Sequence, residues 1–399
     1  MSGKHRLLLL STTSKIGGTE QLVLNLAKGM RKLDCDVQTV LAEDDDVSAT
    51  LEWFEREGVQ ASASPDVLTI YQRHTLKSLL KLRKLVQESG AVAVNIQYGG
   101  SHFSFKDVAA IRAAGVTCVV SVQHANRIEA RRHRLMTRLG ARLADAIVVS
   151  TEAARDVLLE AKVPAESIHV IPPSVKPPSK RSSRDGARRR LGLPASAFVV
   201  GCLARLTPEK GIAELIDAVA QMPDPEQRLQ LVIAGAGPAA DALRERAAAR
   251  LPGRAQFLGR IDNSGDLYAA SDVFALPSHM EGFGLVFIEA AYYGVPSVAT
   301  RVGGVPFAVE HGKTGLLVDL YDIDGLTRAI TQLRDDPALC KRLGDAARVR
   351  AEREFSGRAM AERYRRVLFA KATEQPAPAD APKPKPRSSS PFAFLRRLA

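Results

Sequence analysis

The stretch from Val273 to Val318 constrains the fold more than any other part of the chain. Residues 273–276 form a short apolar run ended by Pro277, the pattern of a buried parallel strand. Residues 278–284 are polar and small, as in a loop. Residues 285–293 read as a helix closed by Gly294, with Pro296 two residues on, and residues 297–301 as the next strand. The stretch is therefore a strand–loop–helix–strand unit.

Two carboxylates stand on this unit. Glu281 lies on the loop and Glu289 about one turn into the helix. Gly282 and Gly284 let backbone N–H groups point at an anion where the helix dipole is positive. Glu289 follows Val286, Phe287 and Ile288 and precedes Ala290 and Ala291. A carboxylate in such a run is expensive unless hydrogen-bonded, so Glu289 needs a partner, and a ligand hydroxyl is a good candidate. Taken singly, Glu281 is an ordinary loop charge and Glu289 a half-exposed helix residue. With the glycines between them they read as a ligand site.

The order S-x-x-E-G-F-G-L-x-x-x-E-A-x-x-x-G-x-P is carried by Ser278, Glu281, Gly282, Phe283, Gly284, Leu285, Glu289, Ala290, Gly294 and Pro296. It resembles the signature of retaining glycosyltransferases of the GT-B fold, the large family 4 group. Gly303-Gly304-Val305-Pro306 and the run from Gly312 to Leu317 fit the same pattern. One departure is plain: the family usually has an acidic residue after Gly-Gly-x-Pro, and here it is Phe307. The matching motifs run from Gly17 to Val318, most of the chain.

A chain of 399 residues is long enough for two domains, each with its own core. The net charge of +12 favours anionic partners without choosing among nucleic acid, phosphorylated small molecules and acidic lipid. The four cysteines are scattered, with Cys118 and Cys202 inside strand-like runs, so they read as buried thiols of a reducing compartment. No signal peptide or membrane-length apolar segment is visible, and a cytoplasmic protein is expected.

Residues 6–10 read as a first strand, followed by a loop ending in Gly17-Gly18 and a helix over 20–33. A glycine-rich turn between the first strand and first helix is a phosphate-binding device, though a common one, and no dinucleotide fingerprint is present. Strand and helix signals alternate from there to about residue 171, which implies a doubly wound parallel sheet. His124 follows the strand expected over 116–122, at the edge where such sheets bind ligands. A lone histidine is usually structural. The resemblance implies contact with the transferred sugar.

Arg131, Arg134, Arg138 and Arg142 fall on one helical face, and Arg73, Lys77, Lys81 and Lys84 make a second basic run. A solvated face is the default reading; the sharper one is docking on anionic lipid headgroups. The segment 172–190, rich in Pro, Ser, Lys and Arg, contains a linker. Beyond it, Arg205 and Lys210 follow the first strand of a second αβ unit, where two cations suit a diphosphate. This loop resembles the family's G-R-x-x-x-x-K-G, whose two cations hold the leaving pyrophosphate, with Ala204 in place of the usual glycine. The chain ends in a Pro/Ala/Lys/Ser-rich stretch that reads as disordered, then a short basic apolar patch over 392–398. Asp34-Cys35-Asp36, Asp44-Asp45-Asp46 and Asp322-Ile323-Asp324 look like D-x-D metal sites, but their positions beside strands and helix starts are explained by capping and solvated loops.

The expectation is an α/β protein of the GT-B type, with two Rossmann-like doubly wound domains facing a cleft. Residues 1–175 form the acceptor-side domain, 176–190 the linker, 191–355 the donor domain, 356–372 a helix crossing back, and 373–399 a disordered tail. The resemblance implies a retaining hexosyltransferase that takes sugar from a UDP- or GDP-linked donor to a glycan or glycolipid acceptor of the cell envelope, such as lipopolysaccharide, capsule or exopolysaccharide. His124, Arg205, Lys210 and Glu281 would act on the reacting groups. Gly17, Gly18, Arg205, Lys210, Glu281, Gly282, Phe283, Gly284, Leu285 and Glu289 would hold the donor, with no metal or other cofactor. A peripheral association with the inner face of a membrane is expected, and no nucleic-acid partner. A sugar-nucleotide epimerase shares this fold, and a basic nucleic-acid-binding protein is suggested by charge alone; acceptor dependence and salt-dependent DNA retention would discriminate.

Overall fold

A computed structural model describes residues 5–45, 47–67, 75–99, 103–122, 131–178, 181–226, 228–261 and 263–370, without the side chains of 131 and 132. The first unit runs β1 (Arg6–Ser11), α1 (Gly18–Lys32), β2 (Asp36–Ala42), α2 (Val47–Arg56), β3 (Ala61–Ser64), α3 (Leu76–Ser89), β4 (Ala93–Tyr98), α4 (Phe105–Arg112), β5 (Thr117–Val122), α5 (Arg131–Leu143), β6 (Ala146–Val149), α6 (Glu152–Glu160) and β7 (Ile168–Val170). All seven strands are parallel, in the order β3-β2-β1-β4-β5-β6-β7. The central strands are apolar without alternation, Leu7–Leu10 being fully buried, because helices cover both faces of the sheet.

The second unit runs α7 (Arg184–Arg190), β8 (Phe198–Leu203), α8 (Ile212–Gln221), β9 (Leu229–Ala234), α9 (Ala240–Arg250), β10 (Ala255–Gly259), α10 (Gly265–Ala270), β11 (Val273–Leu276), α11 (Leu285–Tyr292), β12 (Ser297–Thr300), α12 (Val305–Ala308), β13 (Gly315–Val318), α13 (Ile323–Asp335) and α14 (Pro337–Glu354). Its six strands are parallel, in the order β10-β9-β8-β11-β12-β13. The last helix, α15 (Gly357–Leu368), packs against α1. Met360, Ala361, Tyr364 and Leu368 join the core beneath β1 and α1, and the Tyr364 hydroxyl lies 3.2 Å from Ser121 Oγ on β5.

Two elements differ from the sequence expectation in kind. β3 has the weakly patterned sequence Ala-Ser-Ala-Ser and is a strand because it pairs with β2 at the sheet edge. Residues 184–190, within the segment read as linker, form α7. Its Arg188 is buried, donates to the Ala195, Ala197 and Ala270 carbonyls, and pairs with Asp272 at 2.7 Å, which fastens α7 to the second sheet. Cys35, Cys118 and Cys202 are buried free thiols, and burial pushes Cys202 up to about 12. No described helix is long and apolar enough to cross a membrane.

Candidate active site

In doubly wound sheets ligands bind beyond the carboxyl ends of the strands, where the winding direction reverses. The reversal falls between β1 and β4 in the first sheet and between β8 and β11 in the second. The loops leaving β1, β8 and β11 carry Gly17-Gly18, Arg205 with Lys210, and Glu281–Gly284 respectively.

These loops meet. Gly18, Ser150 and Pro173 on one side, and Arg205, Lys210, Glu281–Leu285 and Val286 on the other, line one cavity of about 350 Å³. At its floor Lys210 Nζ donates to Glu281 Oε2 at 2.7 Å, with both side chains mostly buried at 15% and 16% exposure. Ser278 Oγ reaches the same carboxylate oxygen at 3.5 Å. Arg205 is open to solvent by comparison: its side chain is 75% exposed and its guanidinium lies 3.6 Å from Glu209. The two loops are tied by His279 N–H donating to the Glu209 carbonyl at 2.8 Å.

Backbone geometry holds the acidic loop. Gly284 takes a left-handed φ of 81° as the residue capping α11, which leads the chain directly into the helix. Gly303, at φ 50°, lies so close that a Cβ there would stand 2.0 Å from the Glu281 carbonyl oxygen, and Gly304 N–H donates to that oxygen at 3.2 Å. The Gly-Gly pair is thus a rest for the backbone that presents Glu281.

A second cavity, of about 300 Å³, adjoins the first through Leu285. Glu289 lines it with Tyr268, Asn263, Ser264 and Tyr293 from the second unit and Asn25, Trp53 and Ser174 from the first. The Tyr268 hydroxyl donates to Glu289 Oε2 at 2.7 Å. Burial pushes the Glu289 carboxyl above its ordinary range, and the bonds from Tyr268 and Ser264 pull it back in part. Glu20, in the first turn of α1, is also buried. Desolvation raises its carboxyl, opposed by the hydrogen bond from Thr13 and one from its own backbone, with Asp44 adding to the rise.

Residues 16–177 match the model described as Glycosyltransferase Family 4, and residues 183–350 the one described as Glycosyl transferases group 1. The chain belongs to this glycosyltransferase family. The chain is 34% identical over 200 residues to a GDP-mannose-dependent monoacylated alpha-(1-6)-phosphatidylinositol monomannoside mannosyltransferase of Corynebacterium glutamicum, covering 48% of this chain and 52% of that protein. It is 37% identical over 232 residues to a D-inositol 3-phosphate glycosyltransferase of Corynebacterium efficiens, covering 55% of this chain and 54% of that one. The chain thus spans about half the length of the curated relatives it matches. Among solved structures, Anabaena HepE in complex with UDP superposes with a TM-score of 0.77 at 24% identity, covering 92% of this chain and 100% of that one. The fold is therefore GT-B.

In this family member the structure gathers Gly18, Arg205, Lys210, Glu281, Gly282, Phe283, Gly284 and Leu285 at one cavity and Glu289 at its neighbour. Gly17 caps α1 beside Gly18 in extended backbone. His124 lies outside the described residues. Phe283 reaches the cavity only in part: its ring packs against Phe307 and Phe355 in the core. The Phe307 departure is accommodated there, because Arg350 lies over both the Phe307 and Phe355 rings and takes its acidic partners from Glu310 and Glu354 instead. Ser150, Pro173, Tyr268 and Asn263 escape the sequence reading. Ser150 directly follows β6, so the carboxyl-edge rule that singled out His124 applies to it equally. A larger cavity, about 1020 Å³, lies at the amino end of the second sheet, away from these loops. Its wall charges are paired with one another or with near neighbours, as in Arg184–Asp272, Arg228–Glu226 and Arg334–Asp335.

Proposed function

We propose that this protein is a retaining glycosyltransferase that moves a hexose from a UDP- or GDP-linked donor to a hydroxyl of a lipid-linked or other cell-envelope glycan, working in the cytoplasm at the inner membrane face. The observation that carries the reading is the Lys210–Glu281 pair, opposite Gly18 in a cavity walled by both units. Breaking the anomeric C–O bond leaves negative charge on the diphosphate and positive character on the sugar. Lys210 and Arg205 would neutralise the first, together with backbone N–H groups at the start of α11. Arg205 is exposed and long enough to swing onto a bound diphosphate. Lys210, drawn partly onto phosphate oxygen, would release Glu281 to accept hydrogen bonds from sugar hydroxyls. Glu289 would accept from the ribose in the adjoining cavity, and His124 and the Gly17-Gly18 loop would close over the transferred sugar. These cations would do at the diphosphate what a divalent metal does in other transferases.

The relatives named for phosphatidylinositol mannoside and inositol phosphate favour an acceptor of that kind over a purely polysaccharide one. The test is incubation with radiolabelled UDP- and GDP-hexoses and a bacterial lipid extract, with chelator present. Label should move to lipid with wild-type protein and fail to move with Lys210→Ala or Glu281→Ala. Acceptor-independent formation of an altered nucleotide sugar would support an epimerase instead.

A further inference from the structure

We infer that α3 is a membrane-docking face, seating the acceptor edge of the first unit on anionic phospholipid. The inference rests on the lipid-linked acceptor proposed above. α3 buries Leu82, Val86 and Ser89 against its own unit. Its opposite side presents Leu76 and Leu80 to solvent, 75% and 56% exposed and one turn apart. Such a pair on a water-facing surface calls for an apolar partner. Lys77, Lys81, Arg83 and Lys84 stand among these leucines, all exposed. Nearby acids are few: Asp66 lies 3.4 Å from Lys81, and Glu88 lies 3.6 Å from Lys84, at the far end of the helix. A helix with leucines ringed by cations and little negative charge matches the boundary between acyl chains and anionic headgroups. Nucleic acid would draw on the cations but leave the leucines in water.

Position adds a second reason. Helices in a parallel αβ sheet begin at the carboxyl ends of the strands. Leu76 and Leu80 are in the first two turns of α3, so they lie at the same edge as Gly18 after β1 and Ser150 after β6. α5 begins at this edge too, after β5, and carries exposed Leu135 beside Arg134 with no acidic residue along its length. α4 packs against both α3 and α5, so the three helices form one layer. A bilayer meeting the start of α3 would bring a membrane-held acceptor to the rim of the cleft without leaving the lipid.

The test is sedimentation of the full chain with vesicles of phosphatidylcholine alone and with phosphatidylglycerol added, alongside the variant Leu76→Glu/Leu80→Glu. Both sites are exposed, glutamate at 76 stands in the first helical turn and glutamate at 80 lies four residues before Lys84, so the variant should fold. Each cation near an anionic surface multiplies partitioning roughly fivefold. Wild-type protein should therefore partition strongly to the anionic vesicles, and the variant should lose at least tenfold. Wild-type protein that ignores anionic vesicles, variant binding within twofold of wild type, or DNA retention without vesicle binding would each overturn the inference. Nucleotide-sugar thermal shifts, run on both proteins, report separately: their absence sinks the transferase reading and leaves the vesicle result to be judged alone.

Discussion

Lys210 and Glu281 are each other's charge partner, and a mostly buried charge without a partner is costly. That makes their roles separable by experiment. Lys210→Ala should lower transfer about 10²–10³-fold, the usual scale for removing one group that stabilises developing negative charge. It should also destabilise the protein by leaving Glu281 unpaired. Lys210→Ala/Glu281→Ala should then be less destabilised than the two single losses added together, a coupling that urea denaturation of the four proteins would read. Additive losses would mean the pair contributes nothing to the fold. Glu289 gives the opposite expectation. Its carboxyl is raised by burial, so the native state holds a proton more tightly than the unfolded chain does. The native state therefore binds more protons between the ordinary glutamate value and the raised one, and stability falls as pH climbs through that window. Glu289→Gln keeps an acceptor for Tyr268 and removes the buried charge. Its melting point should exceed wild type at pH 7, with the gap closing towards pH 4, while donor binding is lost. A variant less stable than wild type at pH 7 would contradict this account.

At the scale of elements, the loops are held as much by glycine as by side chains. Gly303→Ala puts a methyl 2.0 Å from the Glu281 carbonyl oxygen at a left-handed φ. The handedness alone costs about 1–2 kcal/mol, and the clash must displace the acidic loop. Transfer should fall well beyond what the stability loss explains, as comparison of circular-dichroism melting with activity would show. The same scale explains what could be read in advance. β11 and β8 run over the residues expected because their apolar runs are bounded by Pro277 and by charged loops. α11 begins where expected because Gly284 admits the left-handed cap. β3 was illegible because Ala-Ser-Ala-Ser has no apolar period, and its strand state comes from pairing with β2. α10 has only six residues, too few to show an apolar period, so Tyr268 and its bond to Glu289 were hidden with it. Arg205, Lys210 and Glu281 could be picked out one by one. The mutual pairing of Lys210 with Glu281 could not, since it depends on how β8 and β11 lie side by side.

At the scale of the whole molecule, α15 belongs to one unit by sequence order and to the other by packing. α14 buries Leu343, Ala347 and Ala351 with Phe355 in the second core, and one turn of chain later Met360 and Tyr364 are in the first. One further bond crosses at the same place, Val175 N–H donating to the Phe355 carbonyl at 3.0 Å, while Asn25 Nδ2 on α1 donates to the neighbouring Ser174 carbonyl at 3.1 Å and holds that end of the first unit. A relative movement of the two units would have to turn about both chain crossings, the linker between β7 and α7 and the few residues between Phe355 and Gly357, with α15 travelling with α1. Met360→Ala/Tyr364→Ala removes buried volume from the first unit alone, and large-to-small changes of this kind cost about 2–5 kcal/mol each. Calorimetry of this variant should show the first unit melting early as a separate transition, the second keeping its wild-type midpoint. If the second unit holds most of the donor, UDP or GDP at 100 times its dissociation constant should still stabilise that later transition by about 2.7 kcal/mol. It should raise the earlier one much less. A single transition shifted as a whole would mean that the units melt together, and that the surface between them, not α15, carries the coupling.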